Sequence, residues 1–257
     1  MKRNKTCFKR LTECLYLAAV LLVFGFSLSC SKMGDNYAPF IESGEHIYTG
    51  KVDSITVSPG KNRLKITWLL VSDPKITHCK VFWNDGLDSL NIPVHKTEKT
   101  DTINVIIDHL EEGLYSFYIY TYDDKGHSSV RAEVTGTVYG DNFANSIFNR
   151  SIDSAEYHTL TKDVYIKWFG VAAQAASMDV IYTDTLGLQR SKHITKVLYD
   201  SARPAAFLDR DILDGYKDGT SFRYRTGYLP TANAMDTFFI DYKEVTPTLY
   251  VPPPPPT

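Results

Sequence analysis

The sequence predicts an all-β protein built from two tandem β-sandwiches. Short segments along the chain alternate apolar and polar residues with the period of two that is typical of half-buried strands. In the first half, turn signals separate these segments at intervals of roughly 8 to 12 residues, and amphipathic helical periodicity is absent. The order of motifs recurs about 100 residues later, and self-similarity at such a distance indicates a duplicated domain.

The segment around which the rest of the chain is organised is residues 110–124, which read LEEGLYSFYIYTYDD and include a predicted strand. Successive side chains of a strand point to opposite sides, so this segment has two distinct faces. The face expected to enter the core carries Tyr115, Phe117, Ile119 and Thr121. The face expected to point outward carries Ser116, Tyr118, Tyr120 and Tyr122. A weaker copy at Tyr216–Thr226 has Arg223 and Arg225 at the outward positions.

The other predicted strands follow the same logic. Residues 63–70 place four apolar side chains on one face: Leu64, Ile66, Trp68 and Leu70. Further strands of the first half are predicted at 51–57, 77–83, 90–94, 102–107 and 130–139. In the second half they are predicted at 163–169, 178–183, 216–226 and 237–242. Turn residues cluster at 140–151, where we place the boundary between the two sandwiches.

The first 29 residues have the layout of a secretory signal, with basic residues before an apolar run at Leu15–Ser29. That run is short for a bilayer span, which needs about 20 residues, although an uncleaved membrane anchor is the alternative. Ser27–Cys30 resembles a bacterial lipobox, but has Ser27 where the usual pattern has leucine. The resemblance implies that Cys30 becomes the lipidated N-terminus of an outer-membrane lipoprotein. Asp35 alone follows as an acidic export signal, so the periplasmic and external faces both stay open.

The cysteine count limits the chemistry of the mature protein. Cys7 and Cys14 would be removed with the signal peptide, and Cys30 would carry the lipid. Cys79 would then be the one cysteine with a free thiol. An intramolecular disulfide and a metal site built on paired cysteines are then both excluded. We expect Cys79 to be a small buried hydrophobic residue.

The charge argues against two classes of partner. Of the 28 basic and 30 acidic residues, five and one precede Cys30, which leaves 23 and 29 and a formal net charge of −6. A mildly acidic surface excludes nucleic acid as the expected partner, and also electrostatic adhesion to anionic lipid. Contact with the membrane would therefore depend on the lipid at Cys30.

Both halves resemble fibronectin type III modules. Trp68 and Trp168 each lie on an early strand, and a Gly-containing turn precedes an aromatic residue in each half. The first copy has Glu112 where these modules commonly have proline, and the second has Phe222 where they have tyrosine. The resemblance implies that only Tyr115 can form the hydrogen bond of a tyrosine corner.

A second resemblance combines the lipobox with four further segments. These are Gly44–Lys51, Pro59–Arg63, Trp83–Asn84 and Tyr228–Pro230. In this combination the chain is similar to an uncharacterised family of Bacteroidetes lipoproteins, the domain of unknown function 4998. The resemblance implies an association with glycan-utilisation systems at the cell surface.

These features divide the chain into five segments. They are a lipoprotein signal at 1–29, a tether at 30–45, sandwiches at 46–140 and 141–245, and a Pro-rich tail at 246–257. The tail ends in VPPPPPT, which favours the extended polyproline II conformation. We interpret it as a spacer, with a docking peptide as the alternative.

No catalytic site, metal site or cofactor is predicted. The seven histidines show no metal-ligand spacing, and glycine loops for phosphate are missing. Carboxylates that hydrolyse glycosides must face each other about 5 to 9.5 Å apart. The neighbours Glu111–Glu112 and Asp123–Asp124 lie on turns, where both members of a pair usually face water. An enzyme is therefore disfavoured.

The outward row of Tyr118, Tyr120 and Tyr122 is the candidate ligand site. Flat apolar rings with hydroxyls at the edge suit stacking on sugars, and they also suit a protein interface. We therefore expect a non-catalytic binding or adhesion module whose preferred ligands are surface glycans. The alternative is a structural or scaffold subunit that presents a partner protein in an envelope complex. The alternative for the rings themselves is that the second module or long surface loops cover them, which would prevent ligand binding.

A short motif recurs six times, Asp followed by Ser or Thr and then a small or aliphatic residue. It resembles the O-glycosylation acceptor of exported Bacteroidetes proteins. The candidate acceptors are Ser54, Ser89, Thr102, Ser154, Thr185 and Ser201. The alternative is that Asp-Ser and Asp-Thr simply serve strand starts and turns.

Overall fold

The computed structural model describes residues 47–71, 73–198 and 204–252. Thr49–Thr257 cluster in one compact unit, and the preceding unit contributes only two described residues, the exposed Ile47 and Tyr48. Cys30 and Ser201 lie outside the described residues. Nothing in the described parts of the chain has the length and the hydrophobicity of a membrane-spanning helix.

The first sandwich has seven strands in two sheets, and every pairing is antiparallel. The strands are β1 (Asp53–Pro59), β2 (Arg63–Leu70), β3 (His78–Trp83), β4 (Asp88–Pro93), β5 (Asp101–Asp108), β6 (Gly113–Tyr122) and β7 (Ala132–Val138). One sheet has the order β1-β2-β5 and the other β4-β3-β6-β7. This is a sandwich of the fibronectin type III kind, so the predicted fold class is confirmed.

The alternation on β2 and β6 supplies much of the first core. Leu64, Ile66, Trp68 and Leu70 are fully buried from one sheet, and Phe117 and Ile119 meet them from the other. Each large apolar side chain buried in this way contributes about 1.5–3 kcal/mol. The expected tyrosine-corner bond is present, because the Tyr115 hydroxyl donates to the Glu111 carbonyl at 3.2 Å.

A short helix, α1 (Asp141–Ser146), follows the first sandwich within the segment assigned to the boundary. The Glu112 carboxylate accepts hydrogen bonds from the backbone N–H groups of Asn142 (2.7 Å) and Phe143 (3.0 Å). Those N–H groups have no partner inside the helix, and negative charge is favourable at a helix N-terminus. The sequence did not predict α1, since its cap comes from a residue 30 positions away.

The second sandwich repeats the two-sheet arrangement. Its strands are β8 (Ile152–His158), β9 (Asp163–Trp168), β10 (Ala175–Thr183), β11 (Gln189–Thr195), β12 (Arg210–Leu213), β13 (Phe222–Tyr228), β14 (Phe238–Phe239), β15 (Lys243–Val245) and β16 (Thr248–Leu249). One sheet has the order β12-β9-β8-β16, and the other has β11-β10-β13-β14 with β15 also paired to β13. Phe222 is buried without a hydroxyl, as expected, and Tyr216 instead donates to the Thr220 carbonyl.

The last strand lies inside the segment 246–257 that the sequence assigned to a Pro-rich tail. β16 pairs with β8 in parallel, and the Tyr250 N–H donates to the Tyr157 carbonyl at 2.9 Å. The Tyr250 ring stacks on His158 with 4.0 Å between ring centroids. The chain therefore continues to form sheet beyond Val245.

A hydrogen-bonded joint connects the two sandwiches. The Arg63 guanidinium donates two hydrogen bonds to the Asp236 carboxylate, from Nε to Oδ2 (3.0 Å) and from Nη2 to Oδ1 (2.7 Å). The Lys61 N–H donates to the same Oδ2 at 2.8 Å, and the Met235 N–H donates to the Pro59 carbonyl at 2.7 Å. We call these five residues the clamp.

Glycine is favoured at position 60, beside the clamp. A Cβ atom added to Gly60 would lie 2.4 Å from Asp236 Oδ2, closer than any real contact. Next to it, the Phe143 ring packs edge-on against Tyr139 at 5.1 Å and Phe238 at 5.0 Å, which adds an aromatic contact across the joint.

Candidate functional site

The candidate site is the outer face of the sheet β4-β3-β6-β7. On β6 the inward residues Phe117, Ile119 and Thr121 are fully buried. The intervening residues Tyr118, Tyr120 and Tyr122 are half-buried and point outward. The structure therefore brings the three predicted tyrosines together as one row.

Strand β3 adds a second row, which the sequence analysis did not include in the site. His78, Lys80 and Phe82 lie directly opposite Tyr122, Tyr120 and Tyr118 respectively. The His78 and Tyr122 rings are stacked at 4.9 Å, and Phe82 meets Tyr120 edge-on at 5.9 Å. The alternation of segment 77–83 contained this signal, but only the strand register shows which residues become neighbours.

Cationic side chains lie over two of the rings. The Arg131 guanidinium carbon is 4.4 Å from the centre of the Tyr118 ring, and Lys80 Nζ is 4.8 Å from the centre of the Phe82 ring. Arg131 also donates to the Glu133 carboxylate at 3.1 Å. Cations at such positions are attracted by the negative face of the ring, worth about 0.5–1 kcal/mol at exposed sites.

The tyrosine row of β6 and Phe82 of the β3 row border an open pocket of about 550 Å³, and His78 and Lys80 are not among its lining residues. Its lining consists of Phe82, Asp85, Gly86, Tyr118, Tyr120, Tyr122 and Arg131. The rim turn is left-handed, with φ of 54° at Asp85 and 84° at Gly86, and it places the Asp85 carboxylate beside the rings. All of these lining residues belong to the first sandwich. Burial, helped by the neighbouring Tyr120, raises the pKa of the Tyr122 hydroxyl, so that hydroxyl is a neutral hydrogen-bond donor at pH 7.

The corresponding face of the second sandwich is filled by its own side chains. Arg225 lies over the rings of Phe239 (4.0 Å) and Tyr242 (4.8 Å), and its Nε donates to Asp179 Oδ2 at 2.9 Å. His193 Nδ1 is 2.7 Å from the other Asp179 oxygen. Burial opposes ionisation of Asp179, but the bonds from His193 and Arg225 outweigh it and lower the pKa of that carboxyl. The two outer faces therefore have different chemistry.

One comparison identifies the family. The family model for DUF4998, a domain of unknown function, matches residues 30–238. The chain belongs to this family. No curated protein matches it.

Solved structures similar to this DUF4998 chain are arrays of fibronectin type III domains. A two-domain segment of chicken tenascin is 14% identical, covers 76% of this chain and 98% of its own, and has a TM-score of 0.30. The FN1–FN3 domains of chicken CNTN1 are 10% identical, cover 79% and 69%, and score 0.38. The central array of RIM-binding protein is 14% identical, covers 80% and 71%, and scores 0.27. TM-scores this low support no argument about function. The fold assignment rests instead on the order of the strands in the two sheets.

Two of the segments that carry the family resemblance lie near the joint of this DUF4998 chain. Pro59–Arg63 forms one side of the clamp. Tyr228 is buried, and its hydroxyl donates to the Phe148 carbonyl at 2.8 Å in the connection between the sandwiches. Both segments lie within residues 30–238, which the family model matches.

One member of each acidic pair has a structural partner, so the expectation that both members face water is wrong for Asp123, which is buried. Glu112 caps α1, as described above. Asp123 is buried and accepts hydrogen bonds from the backbone N–H groups of Lys125 and His127, while its second oxygen contacts His127 Nδ1 at 2.7 Å. Burial opposes ionisation of Asp123, yet these bonds lower the pKa of its carboxyl. In the described ranges, no group of three or more His, Cys, Asp or Glu side chains is placed to hold a metal ion.

Cys79 is fully buried beside Trp68. Burial raises the pKa of its thiol to about 11. A thiol with such a pKa is almost entirely protonated at pH 7 and is therefore a poor nucleophile.

The candidate O-glycosylation residues differ in exposure. Ser54, Ser89, Thr102 and Thr185 are exposed, and Ser154 is half-buried. At Thr185 the preceding aspartate also has a turn function, because Asp184 Oδ1 accepts hydrogen bonds from the N–H groups of Leu186 (2.9 Å) and Leu188 (2.8 Å). A structural role and a modification site are compatible at this position.

Proposed function

We propose that this protein is a non-catalytic binding module of the cell envelope, and that it binds surface glycans on the outer face of its first sandwich. The observation that carries the proposal is the open pocket bordered by the tyrosine row of β6 and by Phe82 of β3. Its volume of about 550 Å³ is within the range of small-ligand sites, about 300–1,000 Å³.

The pocket offers both kinds of contact that a sugar needs. The rings of Phe82 and Tyr120 supply apolar surface for the C–H groups of a pyranose. The Asp85 carboxylate accepts hydrogen bonds from hydroxyls, and the Arg131 guanidinium donates them. A few polar groups around an apolar surface are what fixes the orientation of a small ligand.

A second candidate function is to hold a partner protein through the same face. Tyrosine, phenylalanine and arginine are enriched at the centres of protein interfaces, and all three types line the pocket. The protein would then act as a scaffold subunit of an envelope complex.

A glycan array tests the proposal, beside a pull-down from envelope extracts. Residues 31–257 are suitable, because they include the whole compact unit. We expect the double variant Tyr118→Ser/Tyr120→Ser to lose glycan binding while it remains folded, which far-UV circular dichroism checks. Tyr165→Ser is the matched control, because Tyr165 is an exposed tyrosine on the outer face of the other sandwich. Unchanged glycan binding in the double variant would refute the proposal, and capture of one envelope protein that depends on both tyrosines would favour the scaffold.

The envelope location is proposed on the lipobox resemblance. Metabolic labelling with an alkyne fatty acid should mark the full chain, and Cys30→Ala should abolish the label and release the protein from the membrane. Modification of the acceptors Ser54, Ser89, Thr102, Ser154, Thr185 and Ser201 is part of the same proposal. The intact mass of native protein should exceed that of the lipidated polypeptide, and a mass explained by the lipid alone would refute it.

A further inference from the structure

We infer that the glycan is anionic and that Lys80 binds its negative group. This inference rests on the proposed function and adds a substrate class to it. Three features of the described residues carry it: the position of Lys80, the charges around it, and the contrast with the second sandwich.

Lys80 lies at the centre of the aromatic face. In the sheet it stands between Asn91 of β4 and Tyr120 of β6. The side chain is half-buried, with Nζ 4.8 Å from the centre of the Phe82 ring. Its ammonium group therefore lies beside the ring of Phe82, which is one of the residues that line the pocket.

No described carboxylate neutralises this ammonium group. Lys80 takes part in none of the ion pairs among the described residues, whereas Arg131 of the same face is paired with Glu133. The other acid of the pocket, Asp85, lies on the rim turn. The face therefore has an unpaired positive charge at its centre, in a chain whose formal net charge is −2.

The second sandwich provides an internal comparison. On its corresponding face, Arg225 is bonded to Asp179, and Arg223 lies opposite Glu244 in the strand register. Cations on that outer face thus have carboxylate neighbours from their own sheet. Lys80 has no such carboxylate among the described residues, which leaves its charge free to bind an external anion.

The expected size of the effect follows from partial exposure. An ion pair at an exposed position contributes about 0.2–1 kcal/mol to binding. Because Lys80 has aromatic neighbours, we expect its contribution to lie toward the upper end of that range. A loss of 1 kcal/mol corresponds to roughly a fivefold change in affinity. Such a contribution is screened by salt, because the Debye length falls from about 10 Å at 0.1 M to about 3 Å at 1 M.

Affinity electrophoresis in gels that contain polygalacturonate, dextran sulfate or dextran tests the inference. Polygalacturonate offers carboxylates, dextran sulfate offers sulfates, and dextran is neutral. We expect the protein to be retarded by an anionic polymer more than by dextran, and the stronger of the two anionic polymers identifies the group. Retardation should decrease as salt increases.

The variants separate charge from aromatic stacking. Lys80→Gln should weaken retardation by the anionic polymer roughly fivefold, and Lys80→Arg should preserve it. Lys65→Gln is the matched control, because Lys65 is also half-buried and unpaired but belongs to the other sheet of the same sandwich. Tyr118→Ser/Tyr120→Ser should abolish retardation altogether.

Two negative results have different meanings. The inference about charge would be overturned if dextran retarded the protein as strongly as the anionic polymers and if Lys80→Gln left the retardation unchanged. Glycan binding itself would remain supported by that result. No dependence on Tyr118 and Tyr120 with any polymer would overturn the proposed glycan site itself, and the inference would be lost with it.

Discussion

Replacing Asp236 with alanine tests the joint between the sandwiches. The substitution removes the two bonds from Arg63 and the bond from the Lys61 N–H. It leaves the cores of both sandwiches untouched, since Asp236 belongs to neither hydrophobic cluster. We therefore expect a loss of stability that originates at the joint.

The magnitude follows from the exposure of the partners. Hydrogen bonds to charged groups contribute about 1.5–3 kcal/mol each when buried. The side chains of Arg63 and Asp236 are 39% and 22% exposed, so water weakens the interaction. We expect the free energy of unfolding to fall by about 1–2 kcal/mol in total. A protein of this size loses about 2–4 °C of melting temperature per kcal/mol, which predicts a decrease of about 2–8 °C.

Calorimetry and hydrogen exchange measure the effect. The amide of Lys61 loses its acceptor in Asp236→Ala and should exchange faster, while amides in the core strands keep their rates. Asp241→Ala is the matched control, because Asp241 is exposed and only its backbone carbonyl accepts a hydrogen bond. A melting temperature within 1 °C of the parent, together with an unchanged exchange rate at Lys61, would show that the clamp does not hold the joint.

A double-mutant cycle with Gly60→Ala strengthens the test. The new Cβ would displace the Asp236 carboxylate, which lies 2.4 Å away, so the single variant should already break the clamp. Overpacking of this kind costs about 1–3 kcal/mol. Adding Asp236→Ala to Gly60→Ala should then cost much less than it does alone, because neighbouring sites are not additive.

The clamp also predicts a dependence on pH. The hydrogen bond from Arg63 lowers the pKa of the Asp236 carboxyl, and burial opposes this only in part. An acid with a depressed folded-state pKa stabilises the fold fully above its unfolded pKa of about 3.9 and loses that contribution as the pH falls through the lower value. The difference in stability between the parent and Asp236→Ala should therefore be constant near pH 7 and disappear in acid. A difference that grows on acidification would contradict the reasoning.

Three further predictions concern the two cores and α1. Trp168→Phe should lower the free energy of unfolding, measured by urea denaturation, by about 1–3 kcal/mol more than Trp68→Phe does. The reason is that the Trp168 indole donates a hydrogen bond to the buried Asp211 at 3.0 Å, whereas the Trp68 indole has no described hydrogen-bond partner. Equal losses of stability in the two variants would contradict this prediction. Cys79 should resist alkylation at pH 8 in the folded protein and react once urea unfolds it, as measured by peptide mass spectrometry; rapid labelling of the native protein would refute the burial argument. Glu112→Ala should speed exchange at the α1 amides that it binds and cost about 0.5–2 kcal/mol, while unchanged exchange would show that the cap is dispensable.

Strong alternation made part of the fold predictable. On β2 every second residue is apolar and buried, and on β6 Phe117, Ile119 and Thr121 are buried in alternation with outward residues. The strands, their inward faces and the outward tyrosines therefore followed from the period of two. In the second half, five strands were not predicted: β8, β11, β12, β15 and β16. β12 does not show an apolar alternation because one of its two inward residues is Asp211, a carboxylate that is buried and accepts the Trp168 indole N–H. β16 has only two residues, too few to show any period.

The candidate site was predicted in part for the same reason. Tyr118, Tyr120 and Tyr122 lie on one strand, so their common face is a local property of the chain. Phe82 and Lys80 join them only through the pairing of β3 with β6, across nearly forty residues of sequence. The register of two strands depends on the packing of the whole sandwich, and a single strand does not specify it.

By itself, therefore, the sequence determined the fold class, the duplication and the outward direction of the tyrosines, since these depend on the order of residues within single strands. The tertiary structure decided the neighbours of those tyrosines and the joint between the sandwiches. The Arg63–Asp236 bond connects residues 173 positions apart, and glycine is favoured at position 60 because the Asp236 carboxylate lies beside it. Contacts between residues so far apart in sequence form when two folded sandwiches meet. The alternation of residues within a single strand therefore does not predict them.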